Sequence, residues 1–317
     1  MSWLHIIHET TYRYQRAVRF GPHRLVLRPR EGHDVHIEAM CLKIEPEFEL
    51  AWSRDLFGNC VATAHLLSPA DRLRIHSEVV LHQMASFPQR SVRRDTPARF
   101  PVQFSEMESA VAATYLASSY PADVAKVKEW ISATINPTVV YHAEEIVASV
   151  ARTIRKTINY QRREAKGVQS PGVTLSAGSG SCRDMATLML EALRSLGFPA
   201  RFASGYLECS ASEAGRASTH AWAEAYLPSV GWVGYDPMLG EATSDQHIVA
   251  GVSNHPRAIM PVSGTFFGEH SSYLGMQAAV QTARFADLET ASYLLRNSAL
   301  ISEHSQKVSK RTEQINM

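Results

Sequence analysis

Cysteine is scarce in this chain: four residues among 317, at positions 41, 60, 182 and 209, each far from the next. So few and so scattered, they build no disulfide framework, and they suit a reducing compartment in which a thiol stays free to work. No C-x-x-C or H-x-x-x-H pair is present, so the sequence offers no closely spaced metal ligands. An excess of either charge is also missing. With 32 basic and 31 acidic side chains the formal net charge is +1, which excludes the electrostatic footprint of a nucleic-acid or polyanion binder. No apolar run reaches the roughly 18 residues of a membrane helix. His, Glu and Arg are scattered through Met1–Tyr14, unlike a signal peptide, so the expected location is the cytoplasm. There is no internal repeat and no low-complexity segment. The remaining composition, 45% hydrophobic and 20% charged, is that of a chain able to bury a sizeable core, in one large domain or two ordinary ones.

Residues 1–84 read as β-structure. Trp3–Tyr14, Arg24–Arg30, Val35–Glu45, Cys60–Leu67 and Leu73–Gln83 have strand composition and partial alternation, and their regular spacing predicts an antiparallel β-sandwich. Residues 85–104, with Pro88, Pro97 and Pro101, suit a linker. The pattern then turns helical from Ser105, most clearly over Asp123–Thr134 and Ala143–Thr157. A short extended piece at Thr157–Tyr160 leads to a polar loop over Arg162–Ser179. Ala200–Glu208 reads as a strand, and Ser210–Ala217 as a small-residue loop. A second domain is drawn over 105–270. Residues 271–317 are set apart as a strand over Ser272–Thr282, a helix over Arg284–Ser302 and a polar tail. That helix can pack on the core or on a second subunit.

The chemistry concentrates between Gly178 and Pro237. Ser181 followed by Asp184 has the form of a capping box. Met185, Leu188, Met189, Ala192, Leu193 and Leu196 then recur at helical spacing, and Gly197 and Pro199 stop the helix. Cys182 thus falls at the first helical position, where unpaired amides and the helix dipole favour an anion and lower a thiol pKa. Its own amide is a natural oxyanion donor. Gly178 and Gly180 let backbone approach a substrate closely. With Gly180, Ser181 and Trp222 are assigned to substrate or oxyanion contact. Cys41, Cys60 and Cys209 lack this setting and read as small buried hydrophobes.

Downstream, His220–Tyr226 alternates as a strand, Pro228–Gly231 has turn chemistry, and Trp232–Asp236 returns. A regular four-residue loop would put His220 and Asp236 on opposite faces. Sharing a face requires a three- or five-residue loop, or a bulge. The aspartate would then hold one imidazole nitrogen and leave the other for the thiol. Trp222, two residues along the same face, would wall the pocket or simply fill the core. A zinc site built from Cys, His and Asp is the competing reading of these residue types.

Gly180–Asp184, Ser218–Trp222 and Gly234–Pro237 together resemble the signatures of the bacterial transglutaminase-like superfamily. The similarity extends through His247–Val252 and Pro261–Gly268, and residues 1–84 resemble the N-terminal region that accompanies such cores. Ser253-Asn254-His255-Pro256 replaces a Gly-Arg-Asp-Tyr run common in the subfamily, and the Gln-Cys-Trp signature of animal crosslinking enzymes is absent. The resemblance implies an α+β protein with a papain-like core. Cys182 would be nucleophile, His220 general base and acid, and Asp236 the orienting group. The expected activity is acyl transfer on peptide or protein amides through a thioester. Hydrolysis is preferred to transamidation, and the mechanism requires no cofactor and no metal. A non-catalytic peptide-binding module of the same fold is the rival from another class.

Overall fold

The computed structural model describes residues 2–84, 100–134, 142–163, 167–208, 219–228 and 230–285. The chain divides into two compact units, one of residues 1–89, 207–218 and 261–317, the other of 90–206 and 219–260. In chain order it begins with β1 (Ser2–Phe20), β2 (His23–Leu25), β3 (Val35–Glu45), β4 (Phe48–Arg54), β5 (Cys60–Leu66) and β6 (Ala70–Gln83). Then come α1 (Glu106–Leu116), α2 (Val124–Thr134), α3 (Ala143–Thr157), β7 (Asn159–Tyr160), α4 (Pro171–Ala177), β8 (Ser179–Gly180) and α5 (Cys182–Ser195). The strands β9 (Ala200–Leu207), β10 (His220–Leu227), β11 (Gly231–Asp236), β12 (Glu241–Ala242) and β13 (His247–Ser253) follow. Last are β14 (Val262–Ser263), β15 (Phe266–Phe267) and β16 (Tyr273–Phe285). No described helix is long and apolar enough to cross a membrane.

The first unit is the expected sandwich. Leu4, Ile6, His8 and Thr10 of β1 turn inward while their neighbours face out, the period-two burial of a strand with one covered face. β1 pairs antiparallel with β6 and β16, and β6 with β3. A second sheet runs β14-β2-β5-β4. Leu25, Ala62 and Ala64 from that sheet meet Ile44, Leu73 and Ile75 from the first. Full burial of each leucine or isoleucine contributes about 1.5–3 kcal/mol.

In the second unit a sheet of order β12-β11-β10-β9-β13 carries α5 on β10, with α2, α3 and α4 packed on the helix. α5 is covered nearly all round: from Asp184 to Arg194 every residue is buried. The amphipathic stripe therefore underestimates it, because Asp184, Glu191 and Arg194 are buried too. Arg194 Nη1 meets Glu191 Oε1 at 2.8 Å, and its Nη2 donates to the Ala200 and Asn254 carbonyls, the pairing that buried charges require.

Four segments differ from the sequence expectation. β4 was not singled out as a strand. The polar loop over 162–179 contains α4, capped by Ser170, opened by Pro171 and closed by Gly178 at φ 60°, all of them helix signals. The boundary drawn at 270 shifts, because the chain returns to the first unit at Pro261: β14 pairs with β2, β15 with β1, and β16 with β1 from Trp3↔Phe285 to Tyr14↔Tyr273. Strand composition announces such a segment but says nothing of its partner. Arg284 and Phe285 end β16 rather than open a helix. The rest of the expected C-terminal helix, residues 85–99 of the linker and Cys209 lie outside the described residues.

Candidate active site

β8 turns directly into α5 through Ser181. The Ser181 N–H and Oγ–H both donate to Asp184 Oδ2 at 2.8 Å, so the capping box forms as expected. Asp184, fully buried, also accepts from Arg163 Nη1 at 2.8 and 2.9 Å and from the Gln169 amide at 2.7 Å. These contacts tie the preceding loop to the start of the helix and leave Cys182 at its first position. The Cys182 amide has no acceptor within the helix, which keeps it available for an oxyanion.

The same contacts revise two assignments. A Cβ on Gly180 would lie 2.8 Å from the Asp184 Cβ, so Gly180 is needed for packing against the cap rather than for substrate approach. Both Ser181 donors are committed to Asp184. Gly178 is explained by its left-handed backbone as the C-cap of α4.

Across from the thiol, β10 and β11 pair Glu224↔Gly234, Tyr226↔Trp232 and Leu227↔Gly231. Even positions face even positions and three positions separate Leu227 from Gly231, one of the solutions that the shared face demanded. His220 and Asp236 meet as a result: His220 Nε2 lies 2.6 Å from Asp236 Oδ2. A carboxylate only accepts, so Nε2 carries the proton and Nδ1 is the nitrogen left over; Cys182 and His220 are close enough that each shifts the other's titration.

The electrostatics follow from this geometry. Burial alone would push the Cys182 thiol up, but the hydrogen bond and charge of His220, with Arg183 beside it, bring it below its ordinary value. Burial likewise opposes the His220 imidazolium, yet hydrogen bonds to Asp236 and Cys182 and their charges raise it to about 10. Asp236 is fully buried; burial works against its charge, and the hydrogen bonds from His220 and His247 overcome that and hold it well below the usual carboxylate range. Each group thus shifts in the direction that favours the charged form of the other.

His247 enters the sequence reading only within the resemblance over His247–Val252, with no role assigned to it. It opens β13, and its Nε2 lies 3.2 Å from the same Asp236 Oδ2. Nothing local in the sequence aims it at that carboxylate. Trp222 is buried, stacked on His220 at 6.2 Å and edge-on to His247 at 5.2 Å. It shields the imidazoles from behind and offers no surface to a substrate. Tyr160 is half exposed and sits on β7, whose parallel pairing sets it opposite Gly180. Burial first, and then the charge of Cys182, raises its phenol.

His220, Asp236 and His247 present ligand atoms within 4.8 Å of one another, so the zinc reading has a set to test. Their protons argue against it. Ser244 N–H donates to His247 Nδ1 at 3.1 Å, which needs the Nδ1 lone pair and leaves the proton on Nε2, whereas a metal ligand must be bare. The set is built for hydrogen bonds to a carboxylate.

Comparison with known proteins agrees with this architecture. Residues 4–82 match the family described as "Bacterial transglutaminase-like N-terminal region" and residues 131–237 the "Transglutaminase-like superfamily". An uncharacterized protein of Mycobacterium leprae is 26% identical over 290 residues, covering 89% of this chain and 99% of that protein. One of Mycobacterium tuberculosis is 26% identical over 278 residues, covering 83% and 87%. Among solved structures, a "Putative Cysteine Protease" from Cytophaga hutchinsonii superposes with a TM-score of 0.70 at 16% identity, over 90% of this chain and 92% of that one. At that identity the likeness shows the shared fold.

Proposed function

We propose that this chain, whose residues 131–237 match the transglutaminase-like superfamily, is a thiol-dependent acyl-transfer enzyme that hydrolyses amide bonds of peptides or proteins. The observation that carries this reading is the 2.6 Å contact between His220 and Asp236 on an imidazole whose titration is coupled to that of Cys182. The Cys182 thiolate attacks the amide carbon and forms a C–S bond, while the Cys182 amide receives the developing oxyanion. The His220 imidazolium gives its proton to the leaving nitrogen as the C–N bond breaks. Water then attacks the thioester, returns a proton to His220 and releases the thiolate. Asp236 keeps the ring oriented and stabilises its charge. Residues 159–162, leading from Tyr160 beside the thiol, are exposed, which favours water over a sequestered amine as acceptor.

Profiling the protein on a fluorogenic peptide library, with and without an added primary amine, tests this. Cleavage that depends on Cys182 and yields free acid in the presence of the amine is expected. Transfer to the amine in preference to water would move the assignment to transamidation. No turnover with either acceptor would leave the peptide-binding module.

A further inference from the structure

Asp236 carries more donors than a catalytic triad requires. Its Oδ1 accepts the Met238 amide at 2.8 Å and the Leu239 amide at 3.4 Å. Its Oδ2 accepts His220 at 2.6 Å and His247 at 3.2 Å. The His247 side chain is 3% exposed, and its tautomer is fixed from both ends. Ser244 N–H occupies the Nδ1 lone pair, and the carboxylate takes the Nε2 proton. The ring is thus held at both nitrogens, one by backbone and one by the carboxylate. Its ring lies 6.1 Å from that of His220 and packs edge-on to Trp222, so it cannot swing without opening the wall behind the imidazole. Without His247, the oxygen that faces His220 would be steadied by His220 alone, and the carboxylate would be anchored only through Oδ1.

We propose that His247 is a positioning residue of the Cys182 site, a second imidazole that fixes the Asp236 carboxylate on the ring of His220. This rests on the acyl-transfer reading above. Among the described residues, the charged or titratable groups facing the cluster are His220 on β10, Asp236 on β11, Tyr160 on β7, and Cys182 with Arg183 at the start of α5. None of them is altered by substituting His247.

The test is acylation by p-nitrophenyl acetate, together with the pH profile of Cys182 alkylation by iodoacetamide, in His247→Leu and His247→Gln. Glutamine places an amide N–H where Nε2 stands; leucine fills the space without a donor. The leucine variant should acylate about 10–100-fold more slowly, the size of one hydrogen bond to a charged group. Its alkylation inflection should rise by about one pH unit as the thiolate–imidazolium pair loosens. The glutamine variant should stay within about threefold of the parent on the same argument. A folded leucine variant with an unchanged rate and an unchanged or lowered inflection overturns the proposal. So does a glutamine variant as impaired as leucine, since space-filling alone would then be the role. If leucine prevents folding, His247→Asn, too short to reach Oδ2, replaces it with the same expectations. Should the parent's acylation be indifferent to His220→Ala, the acyl-transfer reading itself fails. Loss in His220→Ala with no change in His247→Leu sinks the positioning role alone.

Discussion

The two units of this protein each bury a cysteine and a histidine, and the outcomes are opposite. In the sandwich, burial raises the Cys41 thiol, with Lys43 opposing and Glu78 adding to the effect. His8, against Thr10 Oγ1 at 2.9 Å, is lowered to about 4 by burial and then by the charge of His76. In the second unit, burial works the same way on Cys182 and His220 and is overruled. The thiol falls and the imidazole climbs to about 10 because each is the other's partner, with Asp236 behind the ring. Desolvation silences a titratable group; only a matched charge within hydrogen-bond reach turns burial into reactivity. Residue type and exposure therefore do not separate an inert cysteine from a nucleophile, whereas the identity of the neighbour does.

That contrast can be broken most severely at His220. Replacing it with alanine should lower turnover of any amide substrate by about 10⁴-fold or more, as in other triads. Cys41→Ala should leave turnover unchanged. A loss of less than about tenfold in His220→Ala would mean that the thiol needs no partner. The contrast is sharpened, with a smaller effect, at His8. Its folded pKa of about 4 lies below the unfolded value of 6.5, so between those values the unfolded chain binds the extra proton. The stability that a neutral His8 confers is thus fully present above pH 6.5 and is lost as pH falls through 4. One proton corresponds to at most about 1.4 kcal/mol per pH unit. Chemical unfolding at pH 5 and pH 7 should therefore show a gain with pH in the parent that is reduced in His8→Gln. Equal gains in both proteins would say that His8 is not held neutral.

Much of this architecture could be read from residues alone. The start of α5 was legible because Ser181, Asp184, Gly197 and Pro199 are local signals whose physics is complete within one helix. The hairpin was legible because alternation in His220–Tyr226 and the demand for a shared face left few loop lengths. What stayed hidden depended on contacts distant in sequence. Nothing near Arg163 announces that it will clamp Asp184. Nothing in β16 says that it will pair along β1, and nothing near His247 aims it at Asp236. Gly180 was identified for the wrong reason, since the Asp184 side chain that folds back over it becomes visible only once the capping box closes. Spacing alone does not decide between wall and core for Trp222, which stands buried behind the imidazoles and is closed to a substrate.

The account turns on whether Cys182 is a thiolate because of His220. The direct measurement is the rate of carboxamidomethylation of each cysteine in the folded protein at pH 6, resolved by peptide mass spectrometry, in the parent and in His220→Ala. Cys182 should be modified at least about 100-fold faster than Cys41, and the substitution should remove that advantage. Labelling of Cys182 no faster than Cys41, or fast labelling that survives the loss of His220, would contradict it.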